Sequence, residues 1–99
     1  MRFEERVARA LDSLPPDIAA RLENLAILVE DENPDDPDLF GLFEEEPFLP
    51  AKITIYRVPL VEEFSDPGEL EREIRITVLH EVAHYFGLDE ERLEELGYG

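Results

Sequence analysis

Residues 66–87 constrain this chain more than any other stretch. Asp66-Pro67-Gly68-Glu69 reads as an N-cap, a proline at the first helical position and an acidic residue three after the cap. The spacing predicts a helix from Pro67 to about Phe86, with Gly87 as the left-handed residue that ends it. Leu70, Ile74, Ile76, Val78, Leu79, Val82, Ala83 and Phe86 cover most of its circumference. A helix that is apolar nearly all round in its second half is buried on several sides. The rest of a 99-residue chain must wrap around it, and that length supports one domain over residues 1–99.

The wrapping elements are shorter. Phe3, Val7, Ala10, Leu11 and Leu14 form one helical stripe, and Pro15-Pro16 stops it. Asp17 to Leu22 reads as a short second helix. Leu25 to Val29 is a branched apolar run, expected to be a buried strand. Asp31 to Pro50 reads as loop, with prolines at 34, 37, 47 and 50 and acidic clusters at 31–38 and 44–46. Leu39, Phe40, Leu42 and Phe43 would tack it to the body, with Gly41 as a bend. Ile53 to Val58 alternates as a second strand, and Pro59 ends it or marks an edge. A last helix is expected over Glu90 to Leu96, with Asp89 as cap and Gly97 as stop. The fold class that follows is α+β: a small, mostly antiparallel sheet from the 25–30 and 52–58 strands, packed on the long helix, with flanking helices.

Composition removes several functions. Acidic residues outnumber basic ones 26 to 9, giving a net charge of −17. Phosphate backbones and anionic lipid surfaces repel such a coat, so neither nucleic acid nor membrane is an expected partner. Most of these charges serve solubility. The chain has no cysteine, which excludes disulfides, thiolate metal sites and cysteine catalysis. The longest apolar run, Leu25 to Val29, is far short of a membrane span, and the N-terminal residues show no signal-peptide core. The expected location is the cytoplasm. Composition leaves oligomeric state open, and a monomer is compatible with it.

The only two histidines, His80 and His84, lie four apart in the buried half of the long helix, with Glu81 beside the first. That spacing puts two imidazoles on one helix face, able to share one ion. Glu81 sits about 100° around from His80. It is splayed away from the obvious ligand position but well placed to hold a metal-bound water. This is the His-Glu-x-x-His arrangement of zinc proteases, in which the Glu is the general base. Left without an ion, a buried helix carrying these three polar groups would need partners for each. Zinc catalysis usually takes a third protein ligand. With no further His and no Cys, it must be a carboxylate, and Gly87 lets the chain turn back to offer one. Two imidazoles and a carboxylate suit Zn²⁺, and also accept Fe²⁺, Co²⁺, Ni²⁺ or Mn²⁺.

The string His80-Glu81-x-x-His84-x-x-Gly87-x-x-Glu90 resembles the extended zincin motif, whose last position is His or Asp. Residues Ile76 to Gly87, continuing through Asp89-Glu90-Glu91-Arg92-Leu93 to Leu96-Gly97-Tyr98, are similar to the minimal zincin family of small bacterial zinc metallopeptidases. Gly41-Leu42-Phe43-Glu44, Ile53-Thr54-Ile55-Tyr56 and Pro59-Leu60 also resemble it. The resemblance implies a zincin-like fold, a metal held by His80, His84 and Glu90, and Glu81 as catalytic base. Glu90 is longer than the Asp often found there, so Asp89 is a rival ligand and Glu94 a weaker one. The Met-turn of the larger metzincins is excluded, because the only methionine is Met1.

These residues predict a zinc-dependent metallopeptidase that hydrolyses peptide bonds with a water activated by Glu81, acting on a peptide or protein substrate in a shallow groove. The Ile53–Val58 strand would wall that groove if it lies at an edge that pairs an extended peptide; otherwise it is plain sheet. Tyr56, Tyr85 and Tyr98 are oxyanion-donor candidates by chemistry, against a packing role for each. Glu73 and Thr77 share the histidines' stripe and could orient the ligands, against a solvated or core-edge role. Asp31 to Asp38 is rich in oxygen ligands for Ca²⁺ or Mg²⁺ but lacks EF-hand spacing, which favours a solvated loop. Two rival functions remain open: a metal-binding regulatory or interaction module without turnover, and an acidic decoy for a basic partner.

Overall fold

The computed structural model describes residues 2–14, 16–22, 24–87 and 91. In chain order the elements are α1 (Phe3–Asp12), α2 (Pro16–Ala20), β1 (Ala26–Glu30), β2 (Gly41–Glu44), β3 (Lys52–Tyr56), α3 (Arg57–Glu63) and α4 (Pro67–Tyr85). The fold is α+β. The helix expected over 90–96 falls outside the described residues.

Helix α4 forms where its punctuation places it. The Asp66 carboxylate accepts the Glu69 amide at 3.0 Å, and Gly87 closes the C-terminal end at φ 77°. Its buried residues are Ile74, Thr77, Val78, Glu81, Val82 and Ala83, while Ile76 stays 41% exposed. The stripe that runs from Glu73 through Ile76 to His80 therefore faces an opening rather than the core. Helix α1 lays Phe3, Val7 and Ala10 into the core, as its periodicity requires. Arg6 and Arg9 reach Glu71 of α4 at 3.7 and 3.2 Å.

The sheet has strand order β1-β3-β2 and is mixed. The expectation of antiparallel pairing between the 25–30 and 52–58 strands is corrected: β1 and β3 run parallel, from Ala26↔Lys52 to Glu30↔Tyr56. Strand β2 pairs antiparallel with β3, from Gly41↔Ile55 to Glu44↔Lys52. The cause lies in the chain path. The segment 31–40 arches over the C-terminal end of β3 to start β2, and the hairpin then returns β3 into the gap between the two outer strands. The arch is tied down at three points: Val58 N–H donates to the Asp31 carbonyl at 2.9 Å, Tyr56 N–H to the Phe40 carbonyl at 2.8 Å, and the Asn33 amide to the Tyr56 hydroxyl at 2.9 Å.

Three further expectations are revised. The 31–50 stretch is not all loop, because residues 41–44 form β2. Strand β3 ends at Tyr56 and lies in the centre of the sheet, so of its two readings, edge or plain sheet, the edge is overturned. Pro59 instead sits in the first turn of α3, where a missing N–H costs no helical hydrogen bond. Strand β1, expected to be buried, is an edge: Ile27 and Val29 turn inward, but Leu28 is 41% exposed. The tightest core joins β3 to the helices, with Ile53, Ile55, Leu60, Ile74 and Val78 fully buried.

Candidate metal centre

Register settles which side chains meet α4. Paired residues share a sheet face, so Gly41, Phe43, Ile53, Ile55, Ile27 and Val29 all point the same way. Ile27, Val29, Ile53 and Ile55 join the core cluster that includes Ile74, Val78 and Val82 of α4. Strand β2 thus lies across α4 at the level of Glu81.

Gly41 sets the distance of approach. A Cβ at that position would lie 2.8 Å from Thr77 Cγ2, 3.1 Å from Glu81 Cγ and 3.5 Å from Glu81 Oε2. Real Cβ atoms do not come that close, so only glycine lets the strand backbone settle on this turn of the helix. The sequence reading gave Gly41 the role of a bend and missed this one. The available signal was a glycine inside the apolar run Leu39 to Phe43.

Beneath that strand the helix brings His80, Glu81 and His84 together. One ligand atom from each lies within 4.8 Å of the others. The imidazole centroids are 4.8 Å apart and the rings nearly perpendicular, at 76°. Both histidines are half-buried, and Glu81 is only 8% exposed. The donor set fits a divalent metal: two imidazole nitrogens and a carboxylate oxygen within one ion's reach, on a rigid helix. Glu81 thus stands beside the two imidazoles, one helical step around from His80. Glu90, Asp89 and Glu94 lie outside the described residues, as does Tyr98.

The other candidates divide. Thr77 donates its hydroxyl to the Glu73 carbonyl at 2.8 Å, one turn back in its own helix. Tyr56 is buried and bonded to Asn33. Tyr85 packs edge-on against Phe43 at 5.9 Å and beside Phe86 at 5.4 Å. Both thus have packing roles. An open groove of about 530 Å³ runs under β2, walled by Leu39, Gly41, Leu42 and Phe43 on one side and by His80, Glu81 and His84 on the other. A second cavity of about 380 Å³ adjoins it and shares Gly41, His80 and Glu81. Among the described residues, no helix is long and apolar enough to cross a membrane.

An α+β fold with a His-Glu-x-x-His helix under a strand edge is the arrangement of a candidate zincin-like metal site. The model of the zincin-like metallopeptidase family matches residues 22–99, and the chain belongs to that family. A comparison with curated proteins finds no match.

Proposed function

We propose that the protein is a zinc-dependent peptidase. His80, His84 and Glu90 hold the metal, and Glu81 is the general base. The observation that carries this reading is the buried Glu81, held beside two half-buried histidines under an exposed strand edge. The groove opens onto that carboxylate, where an attacking water can reach it.

Zinc bound there would polarise a scissile carbonyl and make water acidic enough to attack it. The protein's own groups do the rest. The Glu81 carboxylate accepts a proton from the attacking water and delivers it to the leaving amine nitrogen. Strand β2 is an edge of the sheet, so its outward N–H and C=O groups can pair with an extended peptide laid along the groove. Edge pairing fixes the backbone of a substrate without reading its side chains, which suits a peptide or protein substrate. The dense negative charge argues against nucleic acid and anionic membranes as partners.

Calorimetric titration of metal-stripped protein with zinc, beside His84→Ala, tests the metal centre. One tight site in the wild type, lost in the variant, is the expected result. Peptide cleavage by wild type and Glu81→Gln then tests the chemistry. Hydrolysis abolished in Glu81→Gln with zinc still bound supports a peptidase. Zinc binding without hydrolysis in the wild type would leave a metal-binding module without turnover.

A further inference from the structure

We infer that Tyr56 is a positioning residue for the groove: through Asn33 and the turn that follows it, the Tyr56 hydroxyl holds Leu39 in the wall against which a substrate peptide lies, a reading that rests on the peptidase function proposed above.

The connection can be followed bond by bond. Tyr56 closes β3 and is only 3% exposed, so its hydroxyl needs a partner inside the protein. That partner is the Asn33 side-chain N–H, which donates to it at 2.9 Å from 23 positions away in the chain. Asn33 Oδ1 in turn accepts the Asp35 and Asp36 amides at 2.8 and 3.0 Å. The Asp36 carbonyl accepts the Leu39 amide at 3.1 Å. Tyr56 also donates its own backbone N–H to the Phe40 carbonyl at 2.8 Å. One residue of the central strand therefore grips the arch twice, by hydroxyl and by amide, with Leu39 held between the two grips.

Leu39 is where that grip reaches the site. It borders both cavities beside the metal residues, in each case together with Gly41, His80 and Glu81. It also stands two residues before β2, so a peptide paired along that edge and running past its start meets it. The hydroxyl adds placement rather than packing, because a phenylalanine ring would fill the same space. Asp31 and Phe40 are tied by backbone bonds that Tyr56→Phe leaves intact, and the Asn33 turn closes on its own amides. Without the hydroxyl the turn survives but is no longer pinned to the sheet. The wall loosens, and α4, which carries the histidines, is untouched.

The test compares Tyr56→Phe, Leu39→Ala and the two combined, each built on zinc-loaded Glu81→Gln so that binding does not depend on turnover. The probe is a fluorescein-labelled, alanine-rich peptide of about eight residues with a central leucine, long enough to span β2 and pass Leu39, read by polarisation. Tyr56→Phe should weaken binding several-fold, and Leu39→Ala at least as much. The combined variant should bind no worse than Leu39→Ala alone, because the hydroxyl acts through Leu39; a general loss of structure would instead add. Asn33→Ala, which cuts the connection at its middle, should weaken binding at least as far as Tyr56→Phe. Thermal unfolding verifies that each variant is folded. By NMR, the Leu39 methyl order parameter should fall in Tyr56→Phe while that of Val78 in α4 holds. In turnover by the otherwise wild-type chain, Tyr56→Phe should raise KM and leave kcat within about twofold. Unchanged affinity in Tyr56→Phe and Asn33→Ala, additive losses in the combined variant, an unmoved Leu39 order parameter, or no binding of the peptide would overturn the positioning role. The expected binding pattern with no cleavage by zinc-loaded wild type would sink the peptidase reading and keep the positioning role. Cleavage with the same KM in wild type and Tyr56→Phe would do the reverse.

Discussion

The two halves of α4 each border a concave surface, and the two surfaces are built on opposite principles. Near its N-terminal end the helix packs on α1 around a cavity of about 320 Å³ lined by Arg9, Arg72 and Arg75 together with Glu71. Arg6 and Arg9 both turn to Glu71, which ties the two helices together. Near the C-terminal end the helix meets a strand through Gly41, and the carboxylates of Asp36, Asp38 and Glu73 surround an opening beside the histidines. The first surface is a seam between helices closed by its own ion pairs. The second is an open groove beside the histidines, with exposed acids on its rim. What sets the second apart is the His80, Glu81 and His84 cluster, a candidate metal site.

The contrast can be broken from either end. The largest effect is expected at the base. Glu81→Gln should lower peptide hydrolysis by about 10²–10⁴-fold with zinc affinity kept, measured by steady-state cleavage and calorimetry. The body of the helix comes next. Ile74 is fully buried, and Ile74→Ala should cost about 2–5 kcal/mol in urea unfolding. Gly41→Ala separates the two surfaces more sharply. Its methyl would meet Thr77 Cγ2 and Glu81 Cγ, an overpacking of about 1–3 kcal/mol. It should depress cleavage, and Thr77→Ser in the same chain should restore part of it. At the capped end, Asp66→Ala removes the bond to the Glu69 amide and should cost about 1 kcal/mol. The smallest effect is expected in the α1–α4 seam. Glu71→Gln should change stability by less than about 1 kcal/mol, because its ion pairs are partly exposed, and should leave cleavage unaltered.

What was legible in the sequence follows the same division. Helix α4 could be read because its signals are local: a cap, a proline, a glycine and an apolar period. The His80–Glu81–His84 trio rode on that helix and was legible with it. Strand β2 was not, because four residues between prolines carry too little periodicity to announce a strand. The parallel β1–β3 pair was equally hidden. It depends on the arch crossing the end of β3, a long-range choice that neither strand's own residues encode. With β2 unread, β1 was taken as buried and β3 as a possible edge, and the identity of the groove's wall was missed. Thr77 and Glu73 were singled out by helical stripe, and both line the cavity. Asp36 and Asp38 were read within an acidic run, as a solvated loop favoured over oxygen ligands for Ca²⁺ or Mg²⁺, and both are exposed.

The arch also fixes the order in which a working groove can be assembled. The β2–β3 hairpin closes over the short span 45–51, whereas β1 must find β3 across residues 31–51. Longer closures cost more chain entropy, and pairings between distant segments are slower to form. Until β1 docks, one foot of the arch has no anchorage in the sheet, and Asp36 and Asp38 have no fixed position. A formed groove is then a late property of the fold and an early casualty of its loosening. Ile27 and Val29, on a strand that does not line the groove, become its tuning pegs: easing their grip would loosen the groove's rim before it disturbed the helix that carries the histidines.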